Sequence, residues 1–271
     1  MPSSSILLPT SRAVRARRFA SLRTISALVL REMVTTYGRS PGGYLWAVIE
    51  PVAGIALLTL IFSAGFRAPA LGTNFPIFYA TGMLPFLMYN DLAGKVALSL
   101  LFSKPLMAYP AVTFVDAIIA RFIVNLLTQV LVVYITFGGI MLIFDTRLLP
   151  DYPTIVTAFG LAALLGLGVG TMNCYLFTRF PVWQRAWSIL MRPMFIISCI
   201  FFTFETIPQP YNDYLWYNPL VHVVGLVRRG FYSSYDGSYI SVLYLLALSL
   251  GLLMSGLLLL RRHHRFLLND G

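Results

Sequence analysis

Six stretches of this chain are long and apolar enough to cross a bilayer, and nothing else in it restricts the fold as strongly. They fall at 44–66, 75–94, 114–143, 153–177, 186–206 and 239–260. A span needs about 20 mainly apolar residues. Charged side chains make up only 11% of the sequence, where a soluble domain carries about 25% to keep its surface solvated. The expected fold class is therefore all-α: a polytopic membrane protein with six transmembrane helices. The third run is long enough to tilt. The second is interrupted by Pro85 and ends in YNDLAGK.

An even number of spans puts both termini on one side. The first 39 residues carry Arg12, Arg15, Arg17, Arg18, Arg23, Arg31 and Arg39, and residues 261–265 read RRHHR. Lys95, Lys104, Arg179 and Arg185 fall on that same side, which the positive-inside rule makes cytoplasmic. The formal charge of +10 is thus accounted for by a membrane, and no nucleic-acid partner is expected. The Ser- and Arg-rich start resembles a transit peptide, but no short apolar region with a small-residue cleavage site follows. A retained cytoplasmic arm is the expectation. Residues 1–43 form that basic arm and an interface helix, and residues 44–271 form the transmembrane domain. Within the first unit Leu22, Ile25, Val29, Met33 and Tyr37 recur at helical spacing. They predict an amphipathic helix in the interface plane, stopped at Gly38 and by the SPGG that follows.

The chemistry that is missing narrows the function. A P-loop, G-x-x-x-x-G-K-[ST], holds phosphates with backbone amides and a lysine. AGKV at 93–96 lacks both its first glycine and its hydroxyl. There is no H-E-x-x-H and no cluster with metal-ligand spacing. Cys174 and Cys199 sit inside apolar runs, where cysteine acts as a small packing residue. No enzyme, metal or cofactor is expected of this chain.

Several polar residues stand out against the apolar background. Glu50–Pro51 in the first span joins an ionisable group to a helix-kinking imino acid. It reads either as an elbow paired with the interface helix or as a carboxylate snorkelling to water. Arg121, Asn125, Thr128 and Gln129 form a stripe along the third span, facing protein or a polar path, with hydrogen-bonded glue favoured for Asn125 and Gln129. Gly166 and Gly170 make one GxxxG, a close-packing signal. In NPLVHVVGLVRRGFY, residues 218–232, Asn218 is a good N-cap and Pro219 suits the first turn. Gly230 fits a C-terminal stop, with Arg228 and Arg229 where the helix dipole favours cations. The predicted helix, about eleven residues or roughly 16 Å, reaches only halfway through a bilayer. Short re-entrant external helices between spans five and six follow from that length, tethered by the Tyr and Trp of ETIPQPYNDYLWY.

Three segments carry a resemblance to a known family: LREMVTTYGRSPGGYLWAVIEP (30–51), YPAVTFVDAIIAR (109–121) and RPMFIISCIFFTFETIPQPYNDYLWYNPLVHVVGLVRRGFY (192–232). In order, spacing and residue type the chain resembles the membrane subunits of ABC-2-type exporters, specifically those for capsular polysaccharide. Two departures stand out: Cys199 where those proteins tend to have Gly, and Gly225 where an acid is common after the His. The resemblance implies a homodimer above two separate ATP-binding subunits, which hold the ATP and Mg. It implies passage of a lipid-linked polysaccharide across the bacterial inner membrane to periplasmic co-polymerase and outer-membrane export proteins. The substrate path would then include Arg228, Arg229, His222, Tyr211, Trp216, Tyr232 and Arg121. Coupling to the ATPase would use Leu101, Phe102, Ser103 and Lys104 in a short helix ended by Pro105, flanked by Glu32. Glu50 and Pro51 would serve as a gating elbow. An O-antigen or teichoic acid exporter is the near alternative. An ion-coupled secondary transporter is the distant one, since the inverted repeat it predicts is not visible.

Overall fold

A computed structural model describes residues 20–37, 42–104, 112–146 and 148–269. Ten α-helices occur among the described residues. The first five are α1 (Ala20–Tyr37), α2 (Gly43–Gly65), α3 (Phe75–Ala97), α4 (Ser99–Ser103) and α5 (Phe114–Ile143). The others are α6 (Tyr152–Arg179), α7 (Pro181–Ile197), α8 (Tyr211–Trp216), α9 (Pro219–Phe231) and α10 (Val242–Asn269). A 3₁₀ turn at Phe204–Thr206 is the other helical piece, and no strand occurs among these residues. The arm at 1–19, Gly38, Pro105 and the rest of 105–110 lie outside the described residues.

Helices fill five of the six predicted runs nearly throughout, and the run at 186–206 only as far as Ile197. Four are long and apolar enough to cross a membrane: Leu45–Gly65, Phe114–Ile143, Tyr152–Arg179 and Val242–His263. The second run, α3, carries Asn90, Asp91 and Lys95, and it survives as the central helix because other helices enclose it. It runs unbroken through Pro85, and Ile77 through Phe86 are all buried. α6, α5, α2 and α9 pack around it. Helices in lipid associate by close packing rather than by escape from water, and glycine permits the closest approach here. A Cβ on Gly166 would stand 3.0 Å from the Leu92 Cβ, and one on Gly170 2.7 Å from the Val96 Cβ. The GxxxG of α6 is a groove for α3.

α5 starts where T-x-x-D dictates. The Thr113 hydroxyl accepts from the Asp116 N–H at 3.2 Å, and the Asp116 carboxylate accepts from the Thr113 N–H at 3.1 Å. This capping box satisfies two amides that the first helical turn leaves open. Farther along α5, Gln129 Nε2 donates to Asp91 of α3 at 3.0 Å. Gln129 is therefore glue between helices, whereas the Asn125 amide returns to the Arg121 carbonyl of its own helix at 2.7 Å.

One expectation needs correction. The fifth apolar run, read as 186–206, is a helix of 17 residues, Pro181–Ile197, about 25 Å long. A single residue, Phe180, joins it to α6, and the Trp183 indole donates to Asn173 of α6 at 3.0 Å. Pro193 lies within it, and none of its residues is buried. It ends because Cys199 takes φ 59°, the left-handed region that only glycine enters freely. The position where the resemblance leads one to expect Gly is thus one whose backbone favours Gly. On α1, Leu28 and Glu32 are buried, and of the predicted apolar face Ile25 and Val29 are half-buried while Met33, like Leu30 and Val34, is exposed. The Leu22 and Tyr37 side chains lie outside the described residues.

Candidate functional site

Two side-chain clusters mark opposite ends of α3, whose 23 residues span about 35 Å. One gathers where α4 follows α3 and α5 begins. Glu32 of α1 and Arg121 of α5 are both buried, with Glu32 Oε1 3.5 Å from Arg121 Nη1. The Arg121 guanidinium lies 4.2 Å from the ring centroid of Phe102 in α4, and that of Arg31 in α1 lies 5.3 Å from it. Phe102 thus touches cations on two other helices, a favourable placement over an aromatic face. Next to it Leu101 is 45% exposed, Ser103 is buried and Lys104 is half-buried. The structure joins Glu32, Phe102 and Arg121, so Arg121 lies at the opposite end of α3 from the other residues expected along the substrate path.

Glu50 does not form the expected elbow. It is exposed and makes no ion pair among the described residues, while α2 continues as one helix past the buried Pro51. The acid that ties α1 to a membrane-length helix is Glu32.

The other cluster caps the far end of α3. α9 begins as predicted, with the Asn218 side chain accepting from the Leu220 N–H at 3.0 Å. It ends two residues later than predicted, at Phe231. Gly230 is not a terminal cap. A Cβ there would meet Ile155 Cγ1 of α6 at 2.6 Å, and its carbonyl accepts from the Asp151 N–H at 2.8 Å. The residue is small because α6 comes close.

His222 is fully buried between α8 and the start of α10. Its Nε2 lies 2.7 Å from the Trp216 carbonyl, and its Nδ1 accepts from the Ser241 N–H at 3.1 Å. Only the neutral ring protonated at Nε2 satisfies both. Burial holds its pKa below the ordinary value, although the bond to Trp216 raises it. The Trp216 indole donates to the Tyr239 carbonyl at 3.0 Å, and the Tyr244 hydroxyl to the Tyr217 carbonyl at 2.7 Å. Three side-chain bonds therefore pin α8 from behind.

Arg228 and Arg229 divide. Arg229 is exposed, but Arg228 is 1% exposed and turned inward. Its Nη1 donates to the Phe202 carbonyl at 2.7 Å and its Nη2 to the Ile200 carbonyl at 3.0 Å. The guanidinium rests 4.4 Å from the ring centroid of Phe78 in α3. Irregular backbone at membrane depth must find hydrogen-bond partners inside the protein, and Arg228 supplies them to the segment that follows the break after α7. The expectation that it faces the exit is corrected on that ground. Tyr232 is corrected likewise. It is 3% exposed, lies under the loop at Gly72, and offers no open ring face.

Of the expected aromatic residues, Trp216 is half-buried with its indole edge-on to His222, and Tyr211 is open. Two neighbours that sequence reasoning passed over share its exposure. Tyr211, Tyr214 and Tyr217 are 63%, 73% and 68% exposed. Their three-residue spacing in YNDYLWY was the signal, since it places them along one helical face. Among the described residues no group of His, Cys, Asp and Glu could hold a metal ion, and both cysteines are buried free thiols.

The family model for the ABC-2 type transporter matches residues 23–232. The Polysialic acid transport protein KpsM of Escherichia coli is 31% identical over 247 residues, covering 91% of this chain and 96% of KpsM. The Capsule polysaccharide export inner-membrane protein CtrC of Neisseria meningitidis serogroup A is 25% identical over 240 residues, covering 89% of this chain and 91% of its own. The corresponding BexB of Haemophilus influenzae is 26% identical over 242 residues, covering 88% and 90%. With the model matching from α1 through the cap, and relatives matching nearly end to end, this chain belongs to the ABC-2 type transporter family.

Proposed function

We propose that this chain is the membrane subunit of an ATP-driven exporter of capsular polysaccharide in a bacterial inner membrane. The observation that carries the reading is likeness along nearly the whole chain to three kinds of proteins named for polysialic acid transport or capsule polysaccharide export. In this reading all six long helices span, with α3 and α7 screened from lipid by the rest of the assembly. Two copies form the channel, and the bare apolar faces of α2 and α7 support such pairing. ATP and Mg belong to two separate subunits docked beneath α4, since these 271 residues hold no P-loop. Periplasmic co-polymerase and outer-membrane proteins would receive the lipid-linked product.

The cap around α8 and α9 would border the exit, with both termini on the opposite, cytoplasmic side. Rings stack on sugar faces and guanidinium pairs with carboxylate or phosphate. Exposed Tyr211, Tyr214, Tyr217 and Arg229 therefore suit an acidic glycan. Deleting the gene should leave polysaccharide inside the cell, and the intact gene should restore surface capsule. Replacing the three tyrosines together by Ser should lower surface polysaccharide while the protein still inserts and melts normally. Undiminished capsule on the deletion strain would overturn the function, and an unimpaired triple variant would remove the tyrosines from the path.

A further inference from the structure

The buried joint between α1, α4 and α5 is not explained by stability. A buried ion pair adds little net stability over apolar side chains of equal volume, because both charges must leave water. What it does well is hold groups in one fixed geometry. Here the groups come from helices with different surroundings. α5 is long and apolar enough to cross a membrane. α1 shows Leu30, Met33 and Val34 on its open side. α4 follows directly on the central helix and presents Leu101 outward.

Phe102 is the contact they share. Arg121 of α5 lies 4.2 Å from its ring centroid and Arg31 of α1 5.3 Å from it. Glu32 of α1 lies 3.5 Å from Arg121 and closes the ring of contacts back onto α5. A displacement of α4 cannot leave α1 or α5 in place without separating a guanidinium from the aromatic face or from the carboxylate. Arg121 also has little freedom to swing away, since its side chain is 9% exposed.

We propose that Arg121 is a positioning residue that, through Phe102 and Glu32, carries a displacement of α4 into α5 and α1 together. The inference rests on the reading that an ATPase subunit docks beneath α4. Glu32 balances the charge at 3.5 Å, and Phe102 presents the surface against which the guanidinium plane is pushed. Lysine cannot take over this task, because its compact ammonium pairs with a carboxylate but has no plane to stack.

The test uses the complete complex with its ATPase subunits in lipid nanodiscs. Wild type is compared with Arg121→Lys and with the paired apolar replacement Glu32→Met with Arg121→Met. Two quantities are read: ATP hydrolysis of the complex relative to the ATPase subunit alone, and the distance between spin labels at Leu142 and Leu243. Both of those positions are well exposed. ADP–vanadate supplies the trapped state. Expected for wild type are stimulated hydrolysis and a shift of the label distance on trapping. The apolar pair should assemble and melt like wild type, yet lose about tenfold of the stimulation, mid-range for directly contacting residues. Its label distance should stay put. Arg121→Lys should lose most of the stimulation with its charge intact. If either variant stimulates and shifts as wild type does, the inference is overturned while docking at α4 stands. If wild type itself shows neither response, the docking reading fails and takes the inference with it.

Discussion

Replacing Arg228 by Gln tests whether the backbone after α7 is held from α9. The native guanidinium donates to the Phe202 carbonyl at 2.7 Å and the Ile200 carbonyl at 3.0 Å, and it is 1% exposed. Hydrogen bonds from charged donors contribute about 1.5–3 kcal/mol each, and a buried carbonyl left alone costs about 1–3 kcal/mol. Glutamine is shorter, uncharged and offers one nitrogen where the guanidinium uses two. Relief of the desolvated charge offsets part of the loss. The net destabilisation comes to about 3 kcal/mol on these terms. At 2–4 °C per kcal/mol for a chain of this size, the melting temperature falls by about 6–12 °C. Arg229→Gln, one residue along and exposed, should stay within about 0.5 kcal/mol of wild type. Intrinsic fluorescence melts of the purified proteins in one detergent read both. Equal melting of the two variants would refute the clamp.

The groove of α6 offers a matched pair of substitutions. Gly170→Ala forces a Cβ to 2.7 Å from Val96 and should cost about 1–3 kcal/mol, whereas Gly160→Ala meets nothing within 4 Å and should be neutral or stabilising by up to about 1 kcal/mol; thermal melts of the two, in parallel, decide. His222 makes the cap sensitive to acid. Its pKa is lowered in the folded protein, so its stability contribution is complete above the ordinary 6.5 and is lost as pH falls through the folded value. Wild-type melting temperature should drop across that window, and His222→Gln, which can both donate and accept, should flatten the profile.

What could be read from sequence followed from local physics, and what could not depended on packing. Six apolar runs are visible because a membrane demands length, and Asn218 because an N-cap needs only its own neighbours. Gly230 shows the opposite case. A glycine that ends a helix and one that makes room for Ile155 look alike until the second helix is in place. Arg228 and Arg229 sit about 100° apart on α9, and sequence does not say which direction leads to the Ile200 and Phe202 carbonyls. Arg121 stood out within a polar stripe, but its contacts with Phe102 of α4 and Glu32 of α1 depend on packing that a periodic stripe does not record. Cys199 stood out only as an unusual residue, and its φ of 59° supplies the reason.

α7 behaves mechanically as a beam fixed at both ends. At its start one residue, Phe180, forms the corner with α6, and the Trp183–Asn173 bond prevents sliding. At its far end Arg228 fastens the following turn to α9. A helix so mounted is restrained at both ends, and between them Pro193 leaves its hydrogen-bond ladder one donor short. Flexure at Pro193 is thus the deformation of α7 that breaks neither mounting.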